Sequence, residues 1–471
     1  MLYLMANDTN SDRKERDSMG EVAVPDSALY GASTQRAVEN FPVGSGRMPL
    51  GFIHSLARVK RACAAANREM GVIDSDLGLQ IERVASEIIA GQHDTEFPVG
   101  IFQTGSGTST NMNINEVIAN RCSQLAGEPL GSKKPVHPND HANLSQSSND
   151  VIPTALHVSI ALALEEKLKP ALVGLESELT EKSKAWKSVI KVGRTHTMDA
   201  TPVTMGNVFE GYARQVSKSV QRAKRASEAV RELAIGGTAV GTGLNAPKGF
   251  GARVSELLSE ETGIRFKEAG SHFEAQGGRD DAVEVAGMLS TIAASLAKIA
   301  GDIRLLGSGP RAGLAELKLP PVQPGSSIMP GKVNPVMCEM LIQVCHYVSG
   351  LCQTVVRCGS DGQFELNTTL PVMGHCLHES IECLGSGVRL FAEKCVKGLE
   401  ADEKRCRTVV EQSLMLVTAL NPKIGYDKAA TIAKKAYEEN LTLVEAVVQS
   451  GELSEKEARA LLDPSKMLGS E

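Results

Sequence analysis

Between Asp281 and Leu306 no proline or run of glycines interrupts the chain, and apolar residues recur every seven positions. Val285, Ile292, Ile299 and Leu306 form one row, and Leu289, Leu296 and Ile303 form a second. Two interleaved rows of this kind predict a long helix packed in a bundle, roughly 40 Å long at 1.5 Å per residue. Met205, Val208, Tyr212, Val216 and Val220 give a similar face to a second helix, extending to Leu233. Thr154 to Trp186 reads as helical, with Pro170 marking a kink or break. Val336 to Val356 is a fourth candidate, with Pro335 suited to its first turn. The apolar stripes are wider than one chain can cover, which predicts an oligomeric bundle.

At 471 residues the chain exceeds one ordinary core. We expect a mixed helical segment over residues 1–145, a central helix bundle over 146–404 and a small helical region over 405–471. Aromatic residues make up only 4%, which favours an aliphatic, helix-rich core over a β-sandwich. The fold expected is therefore mainly α.

A formal charge of −6, with no basic tract, argues against nucleic acid as a partner. Such a protein must build a locally positive pocket to hold an anion. No uninterrupted apolar run reaches membrane-spanning length, so no membrane partner is expected. The first fifteen or so residues, with Asp8, Asp12 and Glu15, lack the character of a secretory or transit segment. They read as a loose arm, and the expected compartment is the cytosol. Cys338, Cys345 and Cys352 recur every seven residues, as do Cys376 and Cys383. There is no CxxC pair, so buried apolar thiols are expected rather than an iron–sulfur cluster.

The candidate chemistry lies in the breaks between these helices. Pro324 to Pro335 reads PGSSIMPGKVNP, too rich in proline and glycine for a helix or central strand. It carries Ser326, Ser327, Lys332 and Asn334, a set of donors suited to a lid that closes on an anion; a polar surface loop is the other reading. Ser106 and Thr108 precede a helix expected over Asn115 to Arg121. Ser147, Ser148 and Asn149 precede one expected near Pro153. Both sets fit plain N-caps, and both fit anion sites at helix starts. His196 stands in GRTH, and an imidazole with an ordinary pKa of ~6.5 suits proton transfer. His137 and His141 are four apart, a spacing that can bind metal, but Pro138 and Asp140 argue against a regular helix there, and no metal is expected. His375 and His378 read as structural. Gly241 to Ala246 fits the GxGxxG/A dinucleotide pattern but has no clear preceding strand and is followed by Pro247, so a nucleotide fold fails on context.

GSSIMPGKVNP is similar to the signature of the fumarase/aspartase superfamily. Further collinear matches are TGSGTSTNMNINEVIANR (104–121), HPNDHANLSQSSND (137–150), GRTHTMDATP (193–202), GGTAVGTGLN (236–245) and LVTALNPKIGYDKAA (416–430). Within the superfamily the chain most resembles the class II, iron-independent fumarases. The resemblance implies a homotetramer with a central long-helix bundle and active sites shared among three subunits. It implies a small dicarboxylate substrate and no cofactor. It assigns Ser326 as base, His196 as the group protonating the departing hydroxyl, and Glu339 as its orienting carboxylate. Ser106, Gly107, Thr108, Ser147, Ser148, Asn149, Thr195, Ser327, Lys332, Val333 and Asn334 are implied as substrate contacts. His137, Pro138, Asn139 and Asp140 are implied as a second anion site. Aspartate ammonia-lyase is the near alternative, but it usually carries Gln in place of His196 and Leu-Gln-Leu-Asn in place of Phe364-Glu365-Leu366-Asn367. A non-catalytic helical scaffold would have lost Ser326, Lys332 and His196, which are all present. Met198 departs from the family, standing where many members have Gln.

Overall fold

The computed structural model describes residues 11–468. The fold is mainly α, with 61% helix, and among the described residues every sheet is a two-stranded pair, in line with the aliphatic composition. The chain groups into two compact units. One comprises residues 1–170, 221–293 and 346–385; the other comprises 171–220, 294–345 and 386–471.

The first unit opens with an antiparallel hairpin, β1 (Asp12–Asp17) and β2 (Gly20–Pro25). A loose arm is thus not what residues 12–15 form. Glu15 is buried and accepts the Ala32 N–H at 3.1 Å, which ties β1 to helix α1 (Ala32–Asn40). Residues 1–10 of the expected arm lie outside the described residues. Next come α2 (Leu50–Glu69), α3 (Ser75–Ile89) and α4 (Thr108–Ala126). The following helix, α5 (Ser148–Ala163), starts five residues before Pro153 because Ser147 and Asp150 form a reciprocal capping box. Pro153 lies inside the helix instead of opening it. The break expected at Pro170 falls just ahead of that proline, as a π-helical turn over Leu164–Leu168 that leads into α6 (Lys169–Ala185).

The second unit holds a hairpin of β3 (Ile190–Thr195) and β4 (Met198–Thr204), with a register shift between Val192 and Arg194. Helix α7 (Met205–Ala229) follows; it ends four residues short of Leu233, which instead joins a short strand. Helices α8 (Phe250–Thr262) and α9 (His272–Gly277) belong to the first unit, and α7, α10 (Asp280–Leu306), α11 (Val336–Gly359) and α12 (Leu370–Lys394) have residues in both. The heptad rows of α10 are buried along their whole length: Val285, Leu289, Ile292, Leu296, Ile299 and Ile303 are all at 0% exposure. By length and composition α10 could also cross a membrane (mean hydropathy 1.4), which corrects the expectation that no segment could. Its apolar rows serve as protein core. Cys338, Cys345 and Cys352 on α11 are likewise buried, and all ten cysteines are free thiols.

The C-terminal part of the second unit carries α13 (Glu403–Gln412), α14 (Asn421–Ile424), α15 (Tyr426–Glu438), α16 (Leu443–Gln449) and α17 (Glu455–Leu461). They enclose a small core of Leu416, Leu420, Ile432, Leu443 and Val447, to which Val192 of β3 contributes. That packing holds the base of the β3–β4 hairpin. Ile292→Ala removes a fully buried side chain from the α10 row, and should cost about 2–5 kcal/mol of unfolding free energy by urea titration. A cost below about 1 kcal/mol would contradict the packing assigned to that row.

Candidate functional site: paired helix starts, a hairpin tip and a proline-bounded loop

In the first unit α4 and α5 begin side by side. Gly107 caps α4 at φ 75°, and a Cβ there would stand 2.9 Å from Ile152 of α5, so only glycine fits. Gly105 is as tightly held. A Cβ would meet the Thr368 carbonyl at 1.8 Å, and the Gly105 carbonyl accepts the Leu370 N–H at 3.0 Å. Ser106 and Thr108 therefore have a fixed backbone. Their hydroxyls bond each other at 2.9 Å, which leaves one of the two protons free for a ligand.

Across from them, Ser147 accepts the Asn149 N–H at 3.2 Å, and Asp150 accepts the Ser147 N–H at 2.8 Å. Asp150 is wholly buried. Its second oxygen takes the N–H groups of Gly236 (3.1 Å) and Thr238 (2.9 Å), and the Asn149 amide donates to the Ala239 carbonyl at 2.8 Å. The GGTAVGTGLN segment is thereby bound to the start of α5. Asn111 on α4 donates to the Ser148 hydroxyl at 3.0 Å and joins the two helix starts. The capping reading of Ser147 is thus correct as geometry. It is compatible with binding, since two adjacent helix N-termini form a site of positive potential.

His137, Pro138, Asn139 and Asp140 lie in the same unit. The His137 Nδ1 accepts the N–H groups of Asn139 (3.2 Å) and Asp140 (3.1 Å), and His141 Nδ1 accepts the His137 N–H at 2.9 Å. Burial holds the His137 pKa below its ordinary value, with the Asp140 carboxylate opposing. Beside His137 and Asn139 is a cavity of 380 Å³, also lined by Arg16, Ser18 and Lys133. Arg16 and Lys133 escaped the sequence reading, because nothing in the sequence shows that the first hairpin folds against this segment.

In the second unit Thr195 and His196 stand at the β3–β4 tip. His196 (φ 55°) and Thr197 (φ 62°) both adopt left-handed backbone, unusual for such residues, and residues 195–199 are exposed. Met198 is 69% exposed. The hairpin is anchored below by Glu316, which is fully buried and accepts Arg194 at 2.6 and 3.0 Å and Lys191 at 3.2 Å. Burial lowers the Lys191 pKa, with Glu316 opposing that shift. This triad was not foreseen: residue 316 is 122 positions from Arg194, and no local pattern marks the pair.

The proline-bounded segment is a closed loop. The Gly325 N–H donates to the Lys332 carbonyl at 2.9 Å, and the Asn334 amide donates to the Gly325 carbonyl at 2.7 Å. Ser326 is half-buried, and its Oγ accepts the N–H groups of Ile328 (3.2 Å) and Met329 (3.1 Å). Ser327, Lys332 and Val333 are exposed. Asn334 is instead half-buried, spent on closing the loop. Glu339 is half-buried in the first turn of α11, and among the described residues no hydrogen bond joins it to His196. Elsewhere, His375 and His378 lie on α12; burial lowers His378 to a pKa of about 4.

Two helix starts with donor-bearing turns lie in the first unit, and a hairpin-borne histidine and a serine–lysine loop lie in the second. Residues 20–350 match the Lyase family and residues 416–469 match the fumarase C C-terminus. The chain is 52% identical to a fumarate hydratase class II of Thermosynechococcus vestitus, covering 98% of this chain and 99% of that one. It is 50% identical to fumarate hydratase class II 1 of Pseudomonas aeruginosa, over 97% and 98%. The crystal structure of class II fumarase from Schistosoma mansoni superposes with a TM-score of 0.94 at 40% identity, covering 97% and 99%. The chain belongs to the class II fumarate hydratase family.

Two outcomes follow from the buried charges. Glu316→Ala strands Lys191 and Arg194, and should cost about 3–5 kcal/mol by denaturant unfolding. Burial raises Asp150 from 3.8 to a pKa of about 6. Between those values the folded chain binds a proton that the unfolded chain has released, so stability falls as pH rises through that window. The loss should approach about 3 kcal/mol, measured as the difference in slope between wild type and Asp150→Asn from pH 4 to 6. Parallel slopes would rule the shift out.

Proposed function

We propose that this protein interconverts fumarate and L-malate by anti addition of water, and that the residues described above perform it. The supporting observation is full-length identity of 52% to a class II fumarate hydratase. In this reading the paired starts of α4 and α5 hold the two carboxylates, through Ser106, Gly107, Thr108, Ser147, Ser148 and Asn149, with Thr195 and the loop residues Ser327, Lys332, Val333 and Asn334. The N–H groups and the lysine ammonium offset the dianionic charge inside a net-acidic protein.

From malate, Ser326 as alkoxide takes the proton from the carbon beside a carboxylate. The C–H electron pair moves into that carboxylate, giving the enolate-like dianion. The C–O bond then breaks, the double bond forms, and His196 protonates the departing hydroxide to water. The two N–H groups aimed at Ser326 Oγ support this role, because donors to a charged oxygen favour the alkoxide. Lys332 adds a nearby positive charge, and Glu339 orients the imidazole.

The exposed hairpin tip, with left-handed backbone at His196 and Thr197, supports a site completed by neighbouring subunits. We accordingly propose a homotetramer with three subunits contributing to each site, built around the long helices. The division into segments 1–145, 146–404 and 405–471 belongs to the same reading. A second anion site at His137 to Asp140 would draw on Arg16 and Lys133. Ten free thiols suit a reducing cytosol.

Fumarate formation, followed by ultraviolet absorbance, should appear with L-malate and not with L-aspartate. Product from aspartate alone would replace the hydratase reading with the ammonia-lyase one. Ser326→Ala and His196→Asn should each lower kcat by about 10²-fold or more, with the oligomer intact by light scattering. Undiminished turnover would remove those roles.

A further inference from the structure

Helix α2 places a lysine where its neighbours are core. Lys60 has 0% exposure, between Val59 and Ala62 at 0% and 5%. Its ammonium donates to Asn143 Oδ1 at 3.0 Å and Gln146 Oε1 at 2.9 Å. Leaving a cation there without a carboxylate in hydrogen-bond contact is costly. Burial lowers its pKa to about 7, against the opposing pull of Asp150. The bonds continue beyond it. Asn143 Oδ1 also accepts the side-chain amides of Asn111 (3.1 Å) and Asn115 (3.3 Å), and the Asn111 amide donates to Ser148 Oγ at 3.0 Å.

Donor and acceptor rules give this chain one direction. Both contacts of the lysine nitrogen run to side-chain oxygens, so Asn143 and Gln146 turn their oxygens toward it. Asn143 then presents an acceptor to Asn111, which must turn its NH2 inward. That same NH2 fills a lone pair on Ser148 Oγ, which leaves the serine proton free to be donated elsewhere. The orientation leaves Asn111 Oδ1 buried with no partner among the described residues, an arrangement that an unconstrained amide would not favour. We propose that Lys60 is a positioning residue, acting through Asn143 and Asn111 to hold the Ser148 hydroxyl as a donor toward a bound carboxylate. The inference rests on the carboxylate-binding role given to Ser148 above.

The test is a double-mutant cycle on the full-length enzyme, with KM and kcat measured for L-malate. Ser148→Ala should raise KM about tenfold. Lys60→Met should raise KM by a similar factor while kcat changes less than threefold, since the relay sets binding and not proton transfer. In the Ser148→Ala background Lys60→Met should add less than twofold, because the hydroxyl it orients is gone. Should Lys60→Met fail to fold, Asn111→Leu cuts the relay at its last bond and should give the same KM rise and the same non-additivity. Independent, multiplying effects would overturn the proposal, as would an unchanged KM in a folded Lys60→Met or Asn111→Leu enzyme. If wild type does not convert malate, the hydratase reading itself fails. If wild type is active and Ser148→Ala alone raises KM, only the relay fails.

Discussion

Burial of long aliphatic rows makes it costly to leave unpartnered the charged groups that are buried with them. Along α10 the rows from Val285 to Ile303 have no solvent exposure, and Lys60, Asp150 and Glu316 elsewhere in the chain are buried as completely. A charge taken out of water costs several kcal/mol unless it is met. The structure meets these demands with directed bonds: Glu316 between Lys191 and Arg194, Asp150 across three N–H groups, and Lys60 on two amide oxygens. Each of these groups also anchors a segment that carries candidate site residues. Glu316 holds the hairpin that carries His196. Asp150 bonds the Ser147 N–H at the start of α5, and Lys60 bonds Asn143 and Gln146 just before it.

This links stability to chemistry. The residues proposed for catalysis and binding sit at helix starts and in the breaks between helices, where backbone N–H groups lack intrahelical partners. Such breaks would be mobile if nothing held them. Gly105 and Gly107 show how closely they are held, since neither tolerates a Cβ against Thr368 or Ile152. The proline-bounded loop is largely exposed and is held by bonds within itself, from Gly325 to Lys332, from Asn334 to Gly325, and from Ile328 and Met329 to Ser326.

Much of this was legible before folding. The rows at 285–306 predicted α10 to within one residue of its start, and the cysteine row on α11 was read as buried thiols. Ser106, Thr108 and Ser147 to Asn149 were recognisable as helix-start donors, and the collinear motifs pointed to the family that the full-length comparisons show. Less legible were the start of α5, set by a capping box five residues ahead of Pro153, and the β1–β2 hairpin, hidden in a charged segment that resembles an arm.

Sequence periodicity determined the helices, because a seven-residue apolar spacing has one low-energy way to hide from water. Local motif chemistry determined which breaks carry donors. Tertiary structure alone decided which distant residues meet: Lys60 with Asn143, Asp150 with Gly236 and Thr238, Glu316 with Arg194. These partners lie about 80 to more than 120 residues apart. No short-range pattern encodes them, because a buried charge selects its partner by position in space, and that position exists only once the helices have packed.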